Sequence, residues 1–168
     1  MIIIGEKING AIPSIKQAIA ERNEALIIER TLAQAAAGAN FLDCAPSTAT
    51  EIEYETMVWL IGLMQGATNV PLCIDSPNAK LLARVIEEGH LNKPGMVNSV
   101  NEEGDKCETI FPLIAGTPWE VVGLTCDQEG IPADPAKKVE IAKRIIDKAV
   151  RYGVSLNQLH IDPCVMAL

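Results

Sequence analysis

The stretch Pro71-Leu72-Cys73-Ile74-Asp75-Ser76-Pro77-Asn78 decides how this chain is expected to fold. Its run Leu72-Cys73-Ile74 is apolar throughout, as in a strand covered on both faces rather than one alternating between core and water. Asp75 closes the run, and Pro77-Asn78 opens a helix. The same unit recurs on either side. Ile2-Ile3-Ile4, Phe41-Leu42, Met96-Val97, Val121-Val122-Gly123-Leu124 and Leu159-His160-Ile161 are short apolar runs, and amphipathic segments separate them. Ile141, Ile145, Ile146 and Ala149 recur at helical spacing and mark one buried face.

Strand, helix, strand with crossover helices makes a parallel sheet. Asp134-Pro135 fits a helix start, Asp105 with Glu108 fits a capping box, and Gly38, Gly66 and Gly153 stand where helices are expected to stop. Pro112 is expected to kink or shorten the helix after Asp105, because it lacks a donor and its ring clashes with the preceding turn. No G-x-G-x-x-G follows the first strand, where Gly5-Glu6-Lys7-Ile8-Asn9-Gly10 stands instead, so an open dinucleotide-binding sheet loses its main support. The expected fold is α/β, a parallel (βα)₈ TIM-type barrel with about six βα units present in one domain over residues 1–168. A complete barrel takes about 250 residues. The expectation is therefore a chain truncated after its sixth strand: a fragment, a shortened form, or one part of a split protein, whose edge strands something must pair.

Hydrophobic residues make up 48% of the 168 and charged ones 21%, which is ordinary for a globular protein. The net charge of −8 argues against nucleic acid, whose phosphates require a basic surface. No apolar run is long enough for a membrane span and no signal peptide leads the chain, so a cytoplasmic protein without membrane contact is expected. Cys44, Cys73, Cys107, Cys126 and Cys164 form no C-x-x-C pair and are read as reduced thiols.

Ligands of parallel barrels sit at the C-terminal ends of the strands. Glu6 and Asn9 follow the first strand, Asp43 the second, Asp75-Ser76 the third, Asn98-Ser99 the fourth, Thr125 and Asp127 the fifth, and Asp162 the sixth. Carboxylates accept and amides both donate and accept, so the set suits a flat heterocycle presenting several N–H groups. A pterin is one. Its 2-amino and N3–H edge can be met bidentately, a task assigned to Asp162, with Asp75 and Asn98 on the other polar atoms. Against this stands the possibility that each residue merely caps the following helix. Ser76 or Asn78 could cap in place of Asp75 and leave it pointing into the barrel mouth.

With I-I-G-E-K-I-N-G at 3–10, L-C-I-D-S at 72–76, V-N-S at 97–99, G-L-T at 123–125, G-I-P at 130–132 and I-D-P at 161–163, the chain resembles the methyltetrahydrofolate:corrinoid protein methyltransferases end to end. It is more distantly similar to dihydropteroate synthases, which tend to open with an N-V-T-P-D-S-F-like loop. The resemblance implies that Asp75, Asn98 and Asp162 bind the pterin. It also implies that a methyl group moves between N5 of tetrahydrofolate and the cobalt of a corrinoid carried by a partner protein, and that a full-length form is a homodimer. Cys44-Ala45-Pro46-Ser47-Thr48 departs from the Gly-rich loop of several relatives. The Asn that hydrogen-bonds N5 in such enzymes falls beyond Leu168, so no catalytic residue is assigned. A dihydropteroate synthase-like enzyme and a non-catalytic pterin-binding fragment are the alternatives.

No metal site is expected, since Cys44, Cys126 and Cys164 lack the close pairing of zinc ligands. His160 shares the parity of Asp162 and could face the barrel interior, where it is read as a packed or hydrogen-bonded core histidine rather than a catalytic one. Trp59 is read as helix packing, and Trp119 as an anchor at a strand entry.

Overall fold

A computed structural model of the protein describes residues 1–165. Its elements run β1 (Ile4–Gly5), α1 (Pro13–Ala20), α2 (Glu24–Ala36), β2 (Phe41–Cys44), α3 (Thr50–Ala67), β3 (Leu72–Asp75), α4 (Ala79–Glu87), β4 (Met96–Glu102), α5 (Lys106–Ile114), β5 (Glu120–Asp127), α6 (Pro135–Tyr152) and β6 (Leu159–Asp162). Strand order follows chain order from β1 to β6. This is the βα alternation of a partial (βα)₈ barrel. Contacts group the chain into two compact units, one of Met1–Ser76 with Arg84–Met96, the other of Pro77–Ala83 with Val97–Leu168.

In the first unit β1, β2 and β3 are parallel, with Gly5 opposite Leu42, Leu42 opposite Leu72, and Asp43 opposite Cys73. Register fixes two faces, because paired residues share a side and the next residue along takes the other. A Cβ on Gly5 would stand 2.8 Å from Gln34 Oε1 of α2, so the face of Gly5, Leu42, Cys44, Leu72 and Ile74 looks onto helices. There it packs in a core with Ile27, Met57, Leu60, Ile61 and Met64, all fully or nearly buried. Glu6, Asp43, Cys73 and Asp75 fall on the opposite face. The segment between β1 and β2 forms two helices, parted at Arg22 (φ 51°) and restarted by Asn23, whose Oδ1 accepts from the Leu26 amide. Gly10 is required by contact, since a Cβ there would lie 2.1 Å from the Pro46 carbonyl oxygen.

In the second unit β5 and β6 are parallel, with Val122 opposite His160 and Leu124 opposite Asp162. The α6 ends form as expected: Asp134 accepts from the Ala136 amide at 2.9 Å, Pro135 begins the helix, and Gly153 ends it at φ 81°. Ile141, Ile145 and Ala149 are fully buried. A Cβ on Gly123 would meet Ile145 Cγ2 at 3.1 Å, so Val121, Gly123 and Thr125 face α6. Val122, Leu124 and Cys126 therefore face the other way, with His160 and Asp162.

Some expectations need correction. Strand β1 begins only at Ile4; Ile2 and Ile3 are half-exposed, and the Ile3 amide is held by Asn40 Oδ1. Helix α3 continues through Gly66 to Ala67. Asp105 makes no capping hydrogen bond, and its carboxylate lies 3.4 Å from Lys80 Nζ. Pro112 sits inside α5, which still runs to Ile114. An interior proline costs about 3 kcal/mol, whereas burying Cys107, Ile110, Phe111 and Ile114 recovers roughly 1.5–3 kcal/mol for each of the larger side chains. Packing outweighs the lost bond. Strands β4 and β5 extend past their apolar runs, so Asn98, Ser99 and Thr125 lie within strands rather than beyond their ends. Among the described residues no helix is long and apolar enough to cross a membrane.

Candidate functional site

The acidic face of the first unit is built from strand parity. Asp43 is almost fully buried and hydrogen-bonds with the Cys73 thiol. Asp75 is partly buried; desolvation, then the charges of Glu6 and Glu53, push its carboxyl up to about 6. A carboxylate so placed lacks hydration and is surrounded by like charge, so it gains from any ligand that brings N–H donors. Burial, followed by the charges of Asp43 and Asp75, pushes the Cys44 and Cys73 thiols well above their ordinary range. Both are protonated at neutral pH, which suits neither thiolate metal ligands nor nucleophiles. Among the described residues no group of three or more His, Cys, Asp and Glu is placed to hold a metal ion.

Three expected site residues in this unit behave differently. Ser76 is buried and donates to Glu53 Oε1 at 2.6 Å. Asn9 Oδ1 accepts from the Ala11 amide at 2.8 Å and from Ser47 Oγ at 3.3 Å, tying the loop after β1 to the loop after β2. Glu6 lies close enough for its charge to act on Asp75. Glu53 was missed by sequence reading. The signal was there: it lies on α3 in line with Thr56, Met57 and Leu60, a charged residue on an apolar helical stripe, and it is nearly buried.

In the second unit Asn98 and Ser99 are half-buried in the middle of β4, joined by a cis peptide bond. Asn101, also missed, is nearly buried; its Nδ2 donates to Cys126 Sγ at 3.2 Å and its Oδ1 accepts from the Glu103 amide. Asp162 is exposed at the end of β6, and its Oδ1 accepts from the Cys164 amide at 2.7 Å. Asp127 shares the parity of Thr125 and faces α6, where Arg144 Nη2 meets its carboxylate at 3.2 Å and Lys137 Nζ at 3.6 Å. Its oxygens serve the packing of α6. His160 is half-buried at the strand rather than in the core, and its Nε2 lies 2.5 Å from Glu120 Oε2. Trp59 packs under the Arg22 guanidinium, 4.5 Å from the ring centroid, and Trp119 is buried at the entry to β5.

Parallel βα units that turn Asp43 and Asp75 in the first unit and Asp162 in the second to the face opposite their helices define a partial α/β barrel. Residues 12–167 match the family described as pterin binding enzyme, and the chain belongs to that family. It is 49% identical over 170 residues to the methylcorrinoid:tetrahydrofolate methyltransferase of Eubacterium limosum, an alignment covering all of this chain and 62% of that protein. The chain thus spans less than two thirds of that relative's length. It is also 30% identical over 169 residues to the methionine synthase of Mycobacterium tuberculosis (strain ATCC 25618 / H37Rv), covering 96% of this chain and 14% of the relative. Among solved structures it is similar to dihydropteroate synthase from Xanthomonas albilineans in complex with 7,8-dihydropteroate, at a TM-score of 0.65 and 20% identity, over 97% of this chain and 58% of that one. The dihydropteroate synthase of Burkholderia cenocepacia gives 0.63 at 17% identity, over 96% and 56%. These two likenesses concern the fold alone.

Proposed function

We propose that the chain binds the pterin of a folate and serves a methyltransferase that moves a methyl group between N5 of tetrahydrofolate and the cobalt of a corrinoid carried by a partner protein. The observation that carries the pterin reading is Asp75. Its carboxyl is desolvated beside Glu6 and Glu53, on the face turned away from the helices, and it is held near 6. Above that pH it is an acceptor set among like charges, and a pterin N–H edge relieves its lost hydration. The name of the E. limosum relative supports the reaction, at 49% identity along the whole chain.

Asp75, Asn98 and Asp162 are the proposed pterin contacts, with Glu6, Asp43 and Ser99 completing the polar surroundings. Ser76, Asn9 and Asp127 are left out because their oxygens already serve Glu53, the Ala11 amide and Arg144. The corrinoid supplies the metal that gives or takes the methyl group. The chain's own residues bind and orient the ring, and the group that hydrogen-bonds N5 is proposed to lie past Leu168. Methyltetrahydrofolate binding, measured by calorimetry on the protein and on Asp75→Ala, tests the reading. Micromolar binding lost in the variant is expected; equal affinity in both would overturn it. A cytoplasmic setting in one-carbon metabolism and a homodimer for a longer form belong to the same proposal.

A further inference from the structure

We infer that the first unit carries a further small-molecule site, for a carboxylate on an apolar body, between α1, the loop after β2 and the start of α3. Lys16, Ile19, Arg22, Pro46, Ala49 and Ile52 enclose most of a cavity of about 360 Å³ there. Its walls are largely apolar: Ile19 and Pro46 are buried, and Ile52 keeps 51% of its surface exposed. Pro46, Ser47 and Thr48 belong to the stretch that departs from the Gly-rich loop of several relatives, so the departure builds one wall of the cavity. Among the described residues no Asp or Glu lines it, although the chain carries a net charge of −8. Nearby acids turn elsewhere, Glu53 accepting from Ser76 Oγ and Glu21 from Gln17 Nε2.

The cations of the cavity are uncommitted and one of them is preset. Among the described residues neither Lys16 nor Arg22 pairs with a carboxylate. Arg22 stands at φ 51° between α1 and α2, with its guanidinium 4.5 Å from the Trp59 ring centroid. A stacked guanidinium keeps its N–H groups in plane, where a carboxylate meets them. The loop wall is fixed, since Ser47 Oγ donates to Asn9 Oδ1 at 3.3 Å. Thr48 Oγ1 is buried without a hydrogen-bond partner, a deficit that rotation toward an entering acceptor removes. An apolar body against Ile19, Pro46 and Ile52, with its carboxylate toward Lys16 and Arg22, matches both halves of the lining.

Two sources offer this chemistry: a free carboxylic acid, and the carboxylate-bearing tail of a folate. Ile52 and Thr56 line the cavity while Glu53, between them, reaches Ser76 beside Asp75, so cavity and acidic face share the first turns of α3. The folate source rests on the pterin reading above; the cavity does not. Benzoate is the probe, titrated by calorimetry and by the fluorescence of Trp59, with Trp59→Phe identifying the signal. Binding at about 1 mM is expected. Lys16→Gln and Arg22→Asn should each weaken it about tenfold, the asparagine because it accepts the left-handed backbone of Arg22 and so keeps the fold. Benzylamine, the same body with the opposite charge, should not bind. Equal binding of benzylamine, unchanged benzoate affinity in both variants, or no benzoate binding would overturn the site. Benzoate displaced by methyltetrahydrofolate identifies the folate tail as the occupant, and benzoate bound beside it identifies a separate carboxylate. Benzoate binding without any folate binding overturns the pterin reading and leaves this site standing.

Discussion

The two units treat their carboxylates in opposite ways. In the second, Asp127, Glu102 and Glu140 surround Arg144, with Lys137 and Lys148 close by, so each negative charge entering the packing against α6 meets a positive one. In the first, among the described residues, no Lys or Arg pairs with Glu6, Glu53 or Asp75, although Asp75 is desolvated enough to hold its proton near 6. Paired carboxylates settle a helix in place. A carboxylate kept among like charges weakens the fold, and this arrangement fits a residue whose partner arrives with the substrate.

The contrast can be broken by substitution. Asp75→Ala is expected to lower methyltetrahydrofolate affinity by about a hundredfold, the scale of truncating one partner of a desolvated charged contact, as read by calorimetry. Asp75→Asn should weaken binding yet strengthen the fold. Because its folded carboxyl titrates near 6, above the ordinary aspartate value of 3.8, Asp75 contributes stability at low pH that is lost as pH rises through about 6. The asparagine variant should therefore gain about 2 kcal/mol at pH 8, discounted for partial exposure, and nothing near pH 3; urea unfolding at both pH values measures it. Asp127→Ala should cost about 1 kcal/mol of stability and leave folate affinity unchanged, which the same two measurements check. Glu53→Gln keeps an acceptor for Ser76 and removes one charge beside Asp75. It should lower the pH at which folate binding fades by a fraction of a unit, visible in a pH series of binding constants.

Much of this could be read in the chain itself. Apolar runs and helical spacing located all six strands, and Asp134-Pro135 with Gly153 located both ends of α6, because these signals are local. Faces were harder. Asp127 and Asp162 look alike beside their apolar runs, but a one-residue difference in parity sends the first to α6 and the second to the opposite face. The extent of β4 was hidden because Asn98, Ser99 and Asn101 interrupt its apolar pattern. Glu53 stood out in the chain as a charge on the apolar stripe of α3, but its partner Ser76, 23 residues away, is set by packing and not by any local signal.

Gln34 carries a consequence for the shortest strand. Its Oε1 accepts from the Lys7 amide at 2.7 Å in the space that Gly5 leaves empty, and its Nε2 donates to the Arg30 carbonyl. Strand β1 contributes only Ile4 and Gly5 to its pairing, and the loop beyond it is tied further along, where the Ala45 amide donates to the Ile8 carbonyl and the Gly10 amide to the Ala45 carbonyl. The Lys7 amide, although outside every strand, should resist hydrogen exchange as well as its strand neighbours do, because opening it requires α2 to release Gln34. The stretch bearing Glu6 is thus pinned at Lys7 by a helix, before the loop reaches its ties to Ala45, and slow opening at Lys7 should follow that of α2.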